Sequence, residues 1–491
     1  MSKSNLAFFL IFLMFSFLII ITGIKHYYNF YFTSDGFHHY SLLRNFLKFN
    51  ILWEGPTWEY TFGNHVYITL LFLTPFIAIF NTPLILLFAN IFYHLFSSIM
   101  IYLISYFFFK KIKYGNFISF FFAVLYIVSP QVFNTFYIST TFYQPDFLVP
   151  PLILCLFYAF LHLRKKTFLI VSSLIILTKE EYIVLYPTFI LFFFLIGYLI
   201  KNNFWNLRFI YLNFFVYFFC TLISLTTWIF FRTFNEINMA IGFSNVIGSL
   251  IDFITNSKIY NYEFFLVTIN TYGYFLLPIF FILSFVIIIS KISLLKKIII
   301  ISIIIIYPTG RFFINIVMYH TIYGSVWPNS FIPPILIITS IVAVHLVLKE
   351  MGNKIKIIFS ILFLLLTSNL LLIVVNYDRQ VFVMIKEFLN NDLEKKYDFI
   401  EINELKTNMT KDISKKSYFI TEEHLVYPFI ERSHVAKSHA IKLKNANMIF
   451  AEADYIIFRK NEKKLIKEKK VNHTHRVILV TKNFILYEKN T

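Results

Sequence analysis

The sequence predicts an all-α polytopic membrane bundle of about eleven transmembrane helices followed by a small C-terminal α/β domain. Three observations carry this. Of 491 residues, 58% are hydrophobic, 21% aromatic and 14% charged, whereas a soluble domain carries roughly 25% charged residues. The apolar residues fall in long charge-free runs, which is how helices that cross lipid read in sequence. From Asn376 onward the composition turns ordinary and charged, and short strand-like runs replace the greasy ones.

In chain order the apolar runs are 6–24, 84–109, 116–130, 147–161, 167–178, 182–200, 209–231, 264–290, 298–308, 331–348 and 355–375. Each is expected to be a helix, because in lipid a segment must satisfy its own backbone. Leu6–Ile24 is too long and apolar for a removed signal peptide and lacks a small-residue cleavage site, so it reads as a retained first span. The run 66–80 contains Pro75 and closes on Asn81-Thr82-Pro83. It falls short of the ~20 residues a span needs and reads as an interfacial or re-entrant helix.

Charge sets the orientation. With eleven spans, 15 Lys and Arg lie on the N-terminal side and 7 on the other side up to residue 375. The positive-inside rule then places the N-terminus in the cytoplasm, and the first outer loop (25–65) and C-terminal tail outside. The formal charge of +18 does not signal a nucleic-acid partner: 22 of the 44 basic residues lie after residue 375 and the others cluster at helix ends. Cys155 and Cys220 both fall inside apolar runs, which rules against a disulfide framework or a cysteine metal site.

The chain divides into a transmembrane domain over 1–375, a helical linker over 376–414 and an α/β domain over 415–491. In the last, Ser417–Thr421, Ala453–Phe458, Val477–Val480 and Phe484–Tyr487 read as strands, the final two joined through Thr481-Lys482-Asn483. Glu422–Arg432 and Glu462–Lys470 read as helices between them.

Chemistry-bearing residues gather where the chain leaves the membrane on the outer side. The first loop holds Asp35 and Gly36 with His38, His39 and Tyr40, then Trp53, Trp58 and Tyr60, and finally Gly63-Asn64-His65. Asp35 suits a general base or a metal ligand beside a phosphate, and equally the N-cap of an amphipathic helix over Gly36–Phe49. Asp35 and His65 leave room for a divalent metal, although no H-x-x-x-H or H-E-x-x-H spacing points to zinc. Thr178-Lys179-Glu180-Glu181 follows an apolar run of only about twelve residues, which sets these charges below the membrane surface, either as an internal Lys–Glu pair or as part of a site. Asp146, in Phe142-Tyr143-Gln144-Pro145-Asp146, reads by itself as a solvated loop acid. Arg311, with His320, Tyr323 and Trp327-Pro328, suits a bidentate phosphate contact.

Taken in order, these features resemble a domain-of-unknown-function family of predicted polytopic membrane proteins related to the GT-C glycosyltransferases. The resemblance rests on the outer acid after the first span, the G-N-H turn, the Pro-broken segment, Thr82-Pro83 and the T-K-E at an outer helix end. Tyr319-His320, Ala453-Asp454-Tyr455 and Ile485-Leu486-Tyr487 extend it towards the C-terminus. It implies a GT-C-like bundle and transfer of a sugar from a polyprenyl-phosphate donor to a glycan, lipid or protein acceptor on the outer face of the cytoplasmic membrane. Asp35 then takes the place of the catalytic acid, and His65, Lys179, Glu180, Asp146, Arg311 and His320 stand at substrate-binding positions. Gln144 departs from the pattern, standing where the family often has His. A second class of function remains open: a non-enzymatic transporter of lipid-linked glycans, or an envelope assembly protein. The absence of internal repeats weighs against a transporter.

Overall fold

The computed structural model describes residues 3–28, 34–48, 53–54, 59–60, 62, 66–112, 114–127, 132, 143–233, 287, 292–303, 332–351, 399–410, 418–421, 434–437, 453–460 and 471–490. These form a mostly helical body with one five-stranded sheet. The predicted spans 264–290 (apart from Ile287) and 355–375 lie outside the described residues, as do the predicted helices Glu422–Arg432 and Glu462–Lys470.

The helices are α1 (Lys3–Tyr28), α2 (Ser34–Leu47), α3 (Thr74–Phe80), α4 (Leu84–Phe109), α5 (Gly115–Ile127), α6 (Val149–Leu161), α7 (Lys165–Ile176), α8 (Glu181–Ile200), α9 (Leu207–Arg232) and α10 (Ile332–Met351), with a further helical stretch over 294–303. Among the described residues, four helices are long and apolar enough to cross a membrane: α4, α8, α9 and Ile332–Lys349 of α10. The runs read as spans at 116–130, 147–161 and 167–178 form helices of 13, 13 and 12 residues. At 1.5 Å per residue each is about 20 Å long, against a hydrocarbon core of about 30 Å. They need not match the bilayer, because α6 is buried along nearly its whole length and meets α4, α7 and α10 instead of lipid.

The segment 66–80 is a 3-10 turn, Ile68–Leu73, continued by α3. Together they run about 22 Å along the chain, and both ends return to α2, Tyr67 to His39 and Asn81 to Tyr40, in keeping with a segment that does not cross. Pro75 sits in the first turn of α3, where its missing N–H costs nothing, and Asn81 ends the helix in the left-handed conformation.

Between helices there is no hydrophobic driving force inside lipid, so association rests on close packing and polar contacts. α10 lies in the middle of the bundle, against α4, α5, α6 and α8; it is mostly apolar, and its buried Thr339 and Ser340 hydroxyls donate to the Ile335 and Leu336 carbonyls of the same helix. α9 is the opposite case: Tyr211, Phe214, Phe215, Phe218 and Phe219 are exposed on it, a surface suited to lipid. Pro187 lies inside α8 and cannot donate to the Ile183 carbonyl. The Tyr217 hydroxyl of α9 donates to that carbonyl instead, at 3.0 Å.

The loops segregate to two ends of the bundle. At one end the α4–α5, α6–α7 and α8–α9 connections meet: His162 lies against Phe107 with ring centroids 5.1 Å apart, and Asn202 donates to the Phe160 carbonyl at 3.3 Å. The turn into α5 requires glycine, because a Cβ at Gly115 would lie 1.8 Å from the Phe109 carbonyl oxygen. At the other end stand α2, the 3-10 turn, and the segments before α6 and α8.

The first loop contributes β1 (Trp53–Glu54) and β2 (Glu59–Tyr60), an antiparallel pair that sequence reading did not anticipate. The C-terminal strands are β3 (Tyr418–Thr421), β4 (His434–Lys437), β5 (Tyr455–Arg459), β6 (His475–Val480) and β7 (Phe484–Lys489), in sheet order β4-β3-β5-β7-β6. β4 is the strand not expected from sequence. The two tail motifs turn out to be neighbours: Ile456 pairs with Tyr487 and Ile457 with Leu486. The helix Phe399–Thr410 is fastened to the β6–β7 turn by buried Glu401, which accepts from the Thr481 hydroxyl, the Asn483 N–H at 2.6 Å and the Asn483 side-chain amide at 2.9 Å. Ile402 and Leu405 of that helix, with Tyr455, Ile457, Phe484 and Leu486 of the sheet, belong to the same hydrophobic cluster as Tyr40, Leu43, Phe62, Tyr67 and Phe231.

Candidate functional site

The junction between α7 and α8 brings the outer segments together. Thr178 closes α7, its hydroxyl donating to the Leu174 carbonyl at 2.7 Å. The next four residues reach two partners outside the run, Asp146 and Val66. Lys179 is 5% exposed and places its ammonium 3.0 Å from Glu181 and 3.5 Å from Asp146. Asp146, in the 3-10 turn Pro145–Leu148, is fully buried, and its other oxygen accepts from the Tyr182 hydroxyl at 2.9 Å. Glu180 accepts the Val66 backbone N–H at 3.1 Å. Beside it, the Thr69 N–H donates to the Leu177 carbonyl at 3.3 Å.

These contacts correct one expectation and refine another. Asp146 is not a solvated loop acid, because two donors hold it inside the protein. The internal Lys–Glu pair is formed by Lys179 and Glu181, with the distant Asp146 as a further partner of the ammonium, while Glu180 accepts from Val66. Burying such charges is tolerable only where partners surround them.

An aromatic roof covers the cluster. The His39 ring of α2 stands edge-on to Tyr67 at 5.3 Å and to Tyr143 at 5.5 Å. Burial raises the Tyr67 and Tyr143 hydroxyls well above the usual phenol range, on Tyr67 against the opposing effect of Lys179, so both stay protonated and able to donate. Tyr40 ties α2 to the end of α3, donating to Asn81 Oδ1 at 2.9 Å.

Of the residues singled out from sequence, Asp146, Lys179 and Glu180 are brought into one neighbourhood. Asp35 lies in the first turn of α2, which starts at Ser34, two residues before the helix expected over Gly36–Phe49; its side chain lies outside what is described. His65, Arg311 and His320 also lie outside the described residues. Sequence reading did not single out Tyr182 or Tyr67, because nothing in an aromatic-rich sequence separates a buried tyrosine with a task from an interfacial one. For Tyr182 the signal was its place directly after Thr178-Lys179-Glu180-Glu181. Among the described residues no group of three or more His, Cys, Asp and Glu is arranged to hold a metal ion.

A family model described as a predicted membrane protein, DUF2079, matches residues 26–490. The chain belongs to the DUF2079 family. No curated protein matches the sequence. The crystal structure of ArnT from Cupriavidus metallidurans, bound to undecaprenyl phosphate, is similar in fold with a TM-score of 0.56. The identity is 9%, and the match covers 99% of this chain and 98% of that one. ArnT is a GT-C glycosyltransferase, so this DUF2079 chain is related in fold to the GT-C enzymes.

Proposed function

We propose that this chain is a GT-C-like membrane glycosyltransferase that moves a sugar from a polyprenyl-phosphate donor to an acceptor at the outer face of the cytoplasmic membrane. The observation that carries the reading is the convergence of the first outer loop, Asp146 and Lys179 at one end of a bundle whose fold resembles that of a protein bound to undecaprenyl phosphate. A donor carried in lipid reaches such a depth laterally, without leaving the membrane.

In this mechanism the acceptor hydroxyl attacks the anomeric carbon and the bond from that carbon to the phosphate oxygen breaks. The polyprenyl phosphate departs with the electron pair. Asp35 takes the acceptor proton. Lys179, Arg311 and His65 offset the charge that develops on the leaving phosphate. Lys179 already faces two carboxylates, so a phosphate must share its ammonium with them. His320 and Asp146 complete the surroundings, and Trp53, Trp58 and Tyr60 offer faces on which a sugar stacks.

Deleting the gene is expected to remove one glycosylated product and to raise the matching polyprenyl-phosphate sugar, both read by mass spectrometry of lipid extracts. An unchanged lipid-linked glycan profile would overturn the assignment.

The same reading carries the eleven-span topology, with the N-terminus in the cytoplasm and the α/β domain over 415–491 outside. Two features support it: the loops read as outer from charge gather at one end of the bundle, and the C-terminal sheet shares a hydrophobic cluster with that end. A reporter fused after Asn376 is expected to be active in a form that requires export, and one fused after Lys166 in a form that requires the cytoplasm. A cytoplasmic signal at both points would remove the outward-facing tail.

A further inference from the structure

Within the Lys179–Tyr182 run, Glu180 reaches the segment that precedes the 3-10 turn. Its Oε2 accepts the N–H of Val66, 114 residues earlier in the chain. Val66 is buried, and it stands one residue before Tyr67 and two before the 3-10 turn Ile68–Leu73. α2 packs against that turn and α3, as well as β1 and the start of α4, with the Tyr40–Asn81 hydrogen bond at the far end of α3 and His39 edge-on to Tyr67 at the near end. A continuous path therefore runs from Glu180 through Val66 and the 3-10 turn to the helix that carries Asp35. The Thr69–Leu177 backbone bond fixes the same turn at a second point, so the segment is held in height and in rotation.

We propose that Glu180 is a positioning residue: by accepting the Val66 N–H it holds the 66–73 turn, and through it α2 with Asp35, against the Lys179–Asp146 pair. The reaction needs the acid and the cation on either side of one reacting bond, and they come from segments more than a hundred residues apart in sequence. Small misplacements of such groups are costly in rate. The role rests on the glycosyltransferase reading, in which Asp35 is the base. It requires Glu180 as a hydrogen-bond acceptor and not as a charge, which sets it apart from a ligand or a proton carrier.

Glutamine separates these possibilities, since its amide oxygen still accepts from an N–H but carries no charge. Hydrogen exchange of the detergent-solubilised full chain, read by mass spectrometry over peptides that contain Val66, is the direct test. In E180A the Val66 amide is expected to exchange about tenfold faster than in wild type, as loss of one hydrogen bond allows. In E180Q it is expected to stay protected, and E180Q is expected to restore most of the glycosylated lipid product that E180A loses. Wild-type protection of Val66 in E180A, or equally fast exchange in E180A and E180Q, would overturn the proposal. So would an E180Q variant with Val66 protected and product as low as in E180A, because charge would then be the requirement. Where E180A does not accumulate, the protection and product of E180Q still decide. A deletion strain with an unchanged glycan profile would sink the glycosyltransferase reading, while the exchange measurement would still report on the contact at Val66.

Discussion

Lys179→Ala is expected to cost on the order of 3–5 kcal/mol of stability, the usual effect of stripping the partner from buried charge. The substitution removes the ammonium that faces Asp146 and Glu181, and leaves Asp146 with its Tyr182 hydrogen bond but without that cation. Second substitutions test the arrangement. Asp146→Asn in the Lys179→Ala background is expected to recover the most, because Asp146 is fully buried and an asparagine oxygen still accepts from Tyr182. Glu181→Gln should recover less, since the Glu181 side chain is 9% exposed and has some access to water. Glu180→Gln should recover least, its carboxylate being directed to Val66. Melting temperature and folded yield in detergent rank the variants. Equal melting temperatures for wild type and Lys179→Ala would remove the coupling altogether.

Asp35→Asn is expected to abolish function while sparing the fold. Asp35 stands in the first turn of α2, where a negative charge gains roughly 0.3–1 kcal/mol from the helix dipole. Asparagine gives that up and little more, so melting should fall by no more than this implies. A general base, by contrast, contributes about a hundredfold or more in rate, and asparagine can neither take a proton nor carry charge at neutral pH. Complementation of a deletion strain and detergent melting, measured on the same variant, separate the two roles. Full complementation by Asp35→Asn would leave helix-end stabilisation as the explanation for the acid.

The sequence by itself determined the class of molecule and pointed to three of the residues that meet at the α7–α8 junction, Asp146, Lys179 and Glu180. Charge-free runs admit only helices in lipid, so membrane character and the order of the apolar helices followed from hydropathy. Among the described residues the loops gather at two ends of the bundle, while the side each end faces rests on the lysine and arginine counts. Lys179 and Glu180 were legible as candidates because ionisable residues at membrane depth are expensive and therefore rare, whereas Asp146 read by itself as a solvated loop acid and became a candidate only through the family resemblance. Tertiary structure decided who holds whom. A hydropathy plot cannot tell a helix that meets lipid from one that meets protein, so the shortness of α6 was not legible as burial. Ion-pair partners are set by packing across segments far apart in sequence, which no local spacing encodes. For that reason Lys179 was readily paired with an adjoining glutamate, while its contact with Asp146 and the direction of Glu180 towards Val66 emerged only when α2, the 3-10 turn and the α7–α8 junction were seen to meet.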